Sequence, residues 1–289
     1  MEVAHLILAH KGPKQLERLI NVLSLPGTAI YIHIDKKTDI TPFNHLKKIK
    51  NVFFIQNRIK IYWGSYSMIQ ATLVSFKEIS DSGIPFKYVN LLSGQDYPIK
   101  PIKEFCNYLN SNQGKIFMSY LVFETDWNEA ISRINQYHFT NYKIRSRYFF
   151  QRVINWLLPA RVFPTSLVPV GKSQWFTLPL ECVKYVLDYW QDNKELQRFI
   201  KFTWAPDEFI FQTILYNSKY KENIVNDNLR FMIWTKGHAS PDWLKTDDID
   251  KIQSSDKFFA RKFDIEVDAR ILDLLDKIIA TDNIPNTIV

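Results

Sequence analysis

Adjacent carboxylates in the second half of the chain have the chemistry of a proton acceptor. Asp207 and Glu208 stand at the start of a segment with helical spacing. Because neighbouring side chains point in different directions, one acid can cap the helix while the other faces a cleft beside Trp204. Capping by both acids is the alternative interpretation, since negative charge is favourable at a helix N-terminus.

Two cations with aromatic neighbours form a second candidate. Arg261 and Lys262 lie within the sequence FFARKFD, residues 258–264. Both side chains donate to anionic oxygens and neither loses its charge near neutral pH, so the pair is suited to a diphosphate. The alternative is a surface strand whose cations pair with Asp264 or Glu266.

Two more acids lie near the ends of predicted strands in the first half. Asp35 follows the apolar strand IYIHI, residues 30–34. A carboxylate there can accept hydrogen bonds from a ribose or a base, and it can equally cap the next turn. Asp96 follows a buried strand and a turn on Gly94, where a well-capped loop is the alternative.

The sequence does not predict a metal site or several common enzyme classes. Asp248 and Asp250 form a carboxylate-x-carboxylate pair, but in a polar loop, and the six histidines lack ligand spacing. The motifs GxGxxG, GxxxxGK[ST], HExxH and GxSxG are absent, which disfavours usual dinucleotide binding, P-loop hydrolysis, zincin proteolysis and the hydrolase nucleophile elbow.

The elements that position these residues alternate in the first 120 residues, which predicts a mostly parallel sheet flanked by helices. In such sheets ligands bind beyond the carboxyl ends of the strands. Predicted strands cover residues 3–9, 29–35, 52–55, 88–92 and 115–120, and predicted helices cover 13–23, 66–79 and 101–109.

The second half is less regular, and no linker long enough to separate two domains interrupts the chain. We therefore expect one α/β domain over residues 1–289 with an elaborated second half. In that half we predict an apolar aromatic segment at 148–158, helices at 180–192, 207–216 and 267–280, a strand at 229–234 and a polar loop at 239–256.

Composition is that of a globular protein, with 46% hydrophobic and 23% charged residues, and no apolar run approaches the roughly 18 residues that span a bilayer. The start lacks a signal peptide and the two cysteines suit a reducing compartment. The net charge of +7 has a local origin, because residues 130–180 contain no acid. Seven basic residues lie there: Arg133, Lys143, Arg145, Arg147, Arg152, Arg161 and Lys172.

Seven short segments in this order resemble the core-2/I-branching N-acetylglucosaminyltransferase and peptide O-xylosyltransferase family, glycosyltransferase family 14. The resemblance runs from about residue 3 to about residue 265 and implies a GT-A-like (Rossmann-like) α/β fold. The segments are ILAHK (7–11), HID (33–35), WG (63–64), LSGQDYPIK (92–100), GKSQW (171–175), PDE (206–208) and FARKF (259–263).

The resemblance implies an inverting, metal-independent transfer of a sugar from a UDP-sugar to an acceptor hydroxyl. The family's catalytic base falls on Glu208, and its diphosphate-binding lysine falls on Lys262. Arg261 is the nearest candidate for a second diphosphate-binding cation and Arg230 the runner-up. No cofactor or metal is expected.

The resemblance also divides the chain into a nucleotide-sugar-binding half, residues 1–120, and an acceptor and catalytic half, residues 121–289. The remaining UDP-sugar-binding candidates are Ala9, His10, Asp35 and Asp96. The acceptor-binding candidates are Glu124, Trp175, Asp207 and Trp234.

Eukaryotic members of this family are membrane-anchored and disulfide-rich, whereas we expect no anchor in this chain, which has two cysteines. We therefore expect a bacterial, cytoplasmic member in surface-polysaccharide synthesis, with a glycan or lipid-linked acceptor and a GlcNAc- or xylose-like donor sugar. The basic segment Lys143–Arg161 is hypothesised to dock on the anionic inner face of the cell membrane.

Two other functions stay open at this point. A glycoside hydrolase would use two carboxylates, for which Glu208 and Asp96 are the candidates. A polyanion or nucleic-acid binder would use the basic, aromatic segment 130–180. Its aromatic residues alternate with aliphatic ones, which suits packing or a membrane surface better, so we expect no nucleic-acid partner.

Overall fold

The computed structural model describes residues 2–142, 145–164, 166–238 and 240–281. Its strands form a seven-stranded sheet of order β3-β2-β1-β4-β7-β6-β8 and a three-stranded sheet of order β5-β10-β9. The strands are β1 (Val3–Ala9), β2 (Thr28–Ile34), β3 (Val52–Phe54), β4 (Tyr88–Ser93), β5 (Asp96–Pro98), β6 (Ile116–Val122), β7 (Val170–Pro179), β8 (Ile224–Val225), β9 (Arg230–Met232) and β10 (Phe259–Arg261).

Helices flank the large sheet, and among the described residues none of them is both long and apolar enough to cross a membrane. The helices are α1 (Pro13–Leu23), α2 (Tyr66–Asp81), α3 (Ile102–Ser111), α4 (Ile131–Asn135), α5 (Arg147–Leu157), α6 (Leu180–Asp192), α7 (Lys194–Ile200), α8 (Ile210–Tyr216), α9 (Ile249–Gln253) and α10 (Ala269–Thr281). Single 3-10 elements occur at Thr41–Lys48, Asn128–Ala130, Pro206–Glu208, Lys221–Asn223 and Thr246–Asp248.

The large sheet is buried on both faces, as its continuous apolar strands predict. Strands β1 to β4 pair in parallel, and every residue of β1 and β2 is buried. One core lies between the sheet and helices α1, α3 and α10, and a second lies under α2, α6 and α8. This arrangement confirms the predicted α/β fold class, a mostly parallel sheet flanked by helices.

The second half contains elements that the sequence did not predict. Strand β7 runs antiparallel between β4 and β6 and was not predicted as a strand. Helices α5 and α7 were not predicted as helices. The predicted loop 239–256 was wrong in part, because it contains a 3-10 turn and α9. The predicted helix 207–216 is divided in two: Pro206–Glu208 forms a 3-10 turn, and α8 begins at Ile210.

A buried guanidinium joins the small sheet to the large one. Arg230 of β9 is 4% exposed and donates to the Leu91 carbonyl of β4 at 2.9 Å and to the Phe176 carbonyl of β7 at 3.2 Å. It also donates to Asn90, Thr177 and Asn228, and burial lowers its pKa to about 10. Arg230, the runner-up for a diphosphate ligand, thus has both terminal nitrogens bound to protein acceptors, which favours Arg261 for that role.

We expect Arg230→Ala to lower the free energy of unfolding by at least about 3 kcal/mol, since it leaves several buried acceptors without a donor. Urea denaturation followed by circular dichroism measures the change. Arg270→Ala removes an exposed arginine and is the control, expected to stay within about 0.5 kcal/mol of the parent. Equal stability of the two variants would contradict this role of Arg230.

Candidate active site

The carboxyl ends of β1, β2 and β4 meet at one edge of the large sheet. The Asp35 amide donates to the Ala9 carbonyl at 2.8 Å, and the Gly94 amide donates to the Leu8 carbonyl at 2.9 Å. A Cβ added to Gly94 would lie 3.1 Å from the Ala9 Cβ, so this close approach favours glycine. The structure thus brings together the segments predicted to bind the nucleoside.

Asp35 itself is largely committed to its own turn. Its Oδ1 accepts from the Lys37 amide at 2.9 Å and from the Ile61 amide at 3.3 Å, while its Oδ2 lies 3.3 Å from the Lys37 ammonium. The side chain is buried, whereas neighbouring His10 is exposed at the strand end. Oδ1 therefore caps the turn, as the alternative interpretation expects, and Oδ2 is the carboxylate oxygen that remains for a ligand.

Arg261 is a buried cation with hydrogen-bonding capacity to spare. Its Nη1 lies 3.0 Å from Oδ1 of Asp96, and its guanidinium lies 4.2 Å from the ring centroid of Trp175. Its Nε and Nη1 have no hydrogen-bond partner among the described residues. Unpaired buried donors on a cation suit an anionic ligand.

Asp96 orients Arg261 and does not face the cleft. Its side chain is 0% exposed, and its Oδ2 accepts from the Ser93 amide at 2.9 Å. Burial raises the pKa of this carboxyl, and the positive charge of Arg261 opposes that shift. The prediction that Asp96 binds the UDP-sugar therefore stands only as an indirect role through Arg261, and the same burial disfavours Asp96 as the second acid of a hydrolase.

Lys262 lies in a second group of cations around Trp243. Its Nζ donates to Ser240 at 2.8 Å and lies 4.3 Å from the Trp243 ring centroid. Lys11 approaches the same ring at 5.5 Å and pairs with Asp264 at 2.5 Å. Burial and, next, the charge of Arg261 lower the pKa of Lys262. Lys262 was correctly placed beside Arg261, whereas Asp264 pairs with Lys11.

Glu208 is held by an arginine that sequence analysis did not assign to the site. Arg133 of α4 donates from Nη1 to Glu208 Oε2 at 2.5 Å. Its guanidinium lies 4.5 Å from the Trp127 ring centroid and 4.6 Å from that of Trp204. The Glu208 side chain is 30% exposed, so this acid is both oriented and accessible.

The backbone around Glu208 is held by a very close contact. A Cβ added to Gly171 of β7 would lie 2.5 Å from the Glu208 carbonyl oxygen and 2.2 Å from the Phe209 Cβ. Ala205, just before the 3-10 turn, has a left-handed φ of 45°, and its amide donates to the Gly64 carbonyl at 2.8 Å. Contact and strain together position the turn that carries the acid.

Asp207 lies beneath this turn rather than in the cleft. It is buried, and its Oδ1 has no hydrogen-bond partner among the described residues. Burial and, next, the Glu208 charge raise its pKa from 3.8 to about 7. A direct contact between Asp207 and an acceptor stays a prediction that this burial does not favour.

Strand β7 connects the acid to the cations. Gly171 touches the Glu208 turn and Trp175 stacks on Arg261, and four residues of chain span no more than about 14 Å. Acceptor binding by Trp175 stays a prediction, and in the structure its ring contacts Arg261. Glu124 and Trp234 are exposed: Glu124 follows Phe123, which packs on Phe209, and Trp234 follows β9.

Sequence analysis missed three of the residues that shape this region. Lys11 and Trp243 contact residues near 262, and Arg133 holds Glu208 from 75 positions away. Lys11 belongs to the motif at 7–11, so it carried a signal, whereas Arg133 and Trp243 lie outside every motif. Across the described part of the chain, no three His, Cys, Asp or Glu side chains form a group that could hold a metal ion.

Comparison with known proteins identifies a family for most of the chain. The model of the family described as Core-2/I-Branching enzyme matches residues 3–256. Xylosyltransferase 2 of Rattus norvegicus is 28% identical over 300 residues, covering 96% of this chain and 33% of that protein. Xylosyltransferase oxt of Drosophila melanogaster is 24% identical, covering 92% of this chain and 32% of that protein. The chain spans about a third of the length of these curated relatives.

Among solved structures, mouse xyloside xylosyltransferase 1 in its apo form aligns with a TM-score of 0.40 at 14% sequence identity. The alignment covers 89% of this chain and 97% of that one. The 4-diphosphocytidyl-2C-methyl-D-erythritol synthase of Anaerococcus prevotii aligns with a TM-score of 0.31 at 11% identity, covering 68% and 82%.

The raised pKa of Asp207 predicts a pH-dependent stability. The unfolded chain loses this proton near pH 3.8, whereas the folded protein keeps it to about pH 7, so stability falls as the pH rises between these values. We expect Asp207→Asn to remove this fall, so that the free energy of unfolding of the variant increases relative to that of the parent protein as the pH rises. Urea midpoints at several pH values measure it. Asp247→Asn, at an exposed site, is the control, and parallel curves for parent and Asp207→Asn would contradict the prediction.

Proposed function

The chain belongs to the Core-2/I-branching enzyme family, and on this premise we propose that it is a glycosyltransferase that uses a UDP-sugar and inverts the anomeric centre without a metal ion. One observation carries the proposal. An accessible, oriented carboxylate and a buried arginine with an unpaired donor, followed directly by Lys262, lie beside the same strand, β7. That arrangement provides a base for the acceptor and positive charge for a departing diphosphate.

Glu208 acts as the base in the proposed reaction. It takes the proton of the acceptor hydroxyl as that oxygen bonds to the anomeric carbon, on the face opposite the leaving group. The bond from the anomeric carbon to the diphosphate oxygen breaks, and its electron pair leaves with UDP. Arg133 positions the carboxylate beforehand and yields it to the acceptor, while the rings of Trp127 and Trp204 support the guanidinium.

Arg261 and Lys262 stabilise the negative charge that develops on the diphosphate. Fixed cations aimed at a leaving group stabilise the transition state more than the ground state. Asp96 holds Arg261 from below, and Lys11 adds positive charge beside Trp243. Side chains thus supply the charge that a divalent ion provides in many enzymes that transfer phosphorylated groups.

The nucleoside binds at the carboxyl ends of β1 and β2, beside Ala9, His10 and Oδ2 of Asp35. The relatives' names favour a xylose-like donor, and GlcNAc is the second candidate. Trp234 and Glu124 are exposed, which supports their proposed contacts with a glycan or lipid-linked acceptor. We place the enzyme in the bacterial cytoplasm, in surface-polysaccharide synthesis.

Glu208→Gln tests the base. We expect transfer to fall by about 100-fold or more, because the amide cannot accept the proton, while UDP binding stays within about twofold. Release of UDP in the presence of acceptor and calorimetric titration with UDP measure the two effects. Glu129→Gln, an exposed glutamate of the second half, is the matched control. Undiminished transfer by Glu208→Gln would contradict the assignment of Glu208 as the base.

Lys262→Ala tests the source of positive charge. Loss of a charge-assisted contact should weaken UDP binding by about tenfold or more, whereas the exposed Lys236→Ala should leave it unchanged. Transfer by the parent enzyme should also persist in EDTA. If chelation abolishes transfer and Mn²⁺ restores it, the metal-free mechanism is refuted.

A further inference from the structure

Helix α5 turns its apolar side away from the protein. None of residues 147–157 is buried, and Phe149 is 63% and Trp156 81% exposed. These two residues lie seven positions apart, which places them on one face of a helix, with Val153 between them. Phe150 and Leu157 extend the same apolar surface. Large apolar patches of this kind mark interaction sites.

The polar side of α5 attaches the helix to the rest of the molecule. Asn155 accepts from the Tyr137 amide at 2.7 Å and donates to the Tyr137 carbonyl at 3.0 Å. Gln151 accepts from the Phe139 amide at 3.3 Å. The helix is therefore held by hydrogen bonds from one side, and its outward apolar face is a consequence of how it is attached.

The chain just after α5 continues the surface and is fixed from within. Leu158 and Val162 are exposed, the latter at 85%. Arg161 between them donates to the carbonyls of Gln136 and Phe202 at 3.0 and 2.7 Å, and burial lowers its pKa to about 10. The hypothesis that all of Lys143–Arg161 docks was therefore wrong at Arg161, which is structural, and Lys143 lies outside the described residues.

Basic side chains border the apolar face. Arg145 and Arg152 are exposed and Arg147 is half-buried, while residues 130–180 contain no acid. A helix of 11 residues is about 16 Å long, too short to span a bilayer but suited to lie in its interface. An anionic headgroup layer satisfies arginines and apolar rings together, without the matched acidic residues that a protein partner would need.

We propose that α5, with Leu158 and Val162, docks on an anionic phospholipid surface. Phe149, Trp156 and Leu157 enter the headgroup boundary, and Arg145 and Arg152 bind lipid phosphates. Two interactions then hold the docked enzyme at the membrane, burial of apolar side chains and attraction between arginines and anionic lipids, and neither suffices alone.

Docking would bring the membrane close to the active site, a step that rests on the proposed function. A cavity of about 310 Å³ lies between α5 and two tryptophans, and its walls include Arg147, Tyr148, Trp63 and Trp204. Trp204 also contacts Arg133, the partner of Glu208. The Trp204 wall of the cavity thus contacts the partner of Glu208, and its arginine and aromatic rings suit the phosphate and first sugar of a membrane-held acceptor.

Vesicle flotation with the full chain tests the docking. We expect the parent protein to bind vesicles of phosphatidylcholine with phosphatidylglycerol, and to bind pure phosphatidylcholine at least tenfold more weakly, about the effect of two arginines. Phe149→Ser with Trp156→Ser should reduce binding to the anionic vesicles by about tenfold or more. Arg145→Glu with Arg152→Glu should do the same.

Matched controls separate docking from general effects. Phe53→Ser removes an exposed aromatic ring on β3, and Lys48→Glu with Lys50→Glu reverses the same number of exposed charges elsewhere. Both should bind anionic vesicles as the parent does, and unchanged circular dichroism verifies folding of every variant. Equal binding of the parent and the α5 variants to anionic vesicles overturns the proposal. A parent protein that does not bind vesicles and instead dimerises through α5 in sedimentation experiments also overturns it.

Titration with UDP, without vesicles, distinguishes the two proposals. UDP binding with no vesicle binding overturns only the docking. Vesicle binding that α5 substitutions abolish, with no UDP binding, supports the docking and overturns only the proposed donor.

Discussion

The arrangement of the site depends on the buried Arg230 guanidinium between the two sheets. Strand β9 carries this arginine and pairs with β10, which ends in Arg261 and leads into Lys262. Strand β5, on the other side of β10, supplies Asp96. Because Arg230 binds carbonyl groups of β4 and β7, it sets where these cations lie relative to the large sheet. Arg230, whose guanidinium binds protein carbonyls, thus positions Arg261 and Lys262, the cations proposed to bind the diphosphate.

Strand β7 unites the two halves of the site through its place in the large sheet. It pairs antiparallel with both β4 and β6, and it carries Gly171 against the Glu208 turn and Trp175 against Arg261. The acid and the cations come from segments far apart in sequence, and their spacing is set by a single extended strand. This rigidity suits a displacement whose attacking and leaving groups must be in line.

Local pattern was sufficient for the first half of the fold. The apolar run 3–9 and the helical spacing after Pro13 have the same bounds in the sequence and in the structure. Long-range partnership was not predictable, because the positions of Arg133, Asp96 and Arg230 depend on partners many residues away. The sequence around each of these residues shows its charge but does not show that its side chain is buried. The sequence left open whether the apolar residues of 148–158 pack inside or face a membrane, and in the structure those of α5 face outward.

The contact at Gly171 also bears on how such a site can diverge. Any side chain there would overlap the backbone of residues 208 and 209, so the acid cannot keep its place if the glycine changes. A change at position 171 is therefore expected to displace the acid at position 208, although the contact involves the backbone of residue 208 and not its side chain. In distant sequences, we expect a glycine at the matching position of this strand wherever the Pro-Asp-Glu turn keeps this conformation.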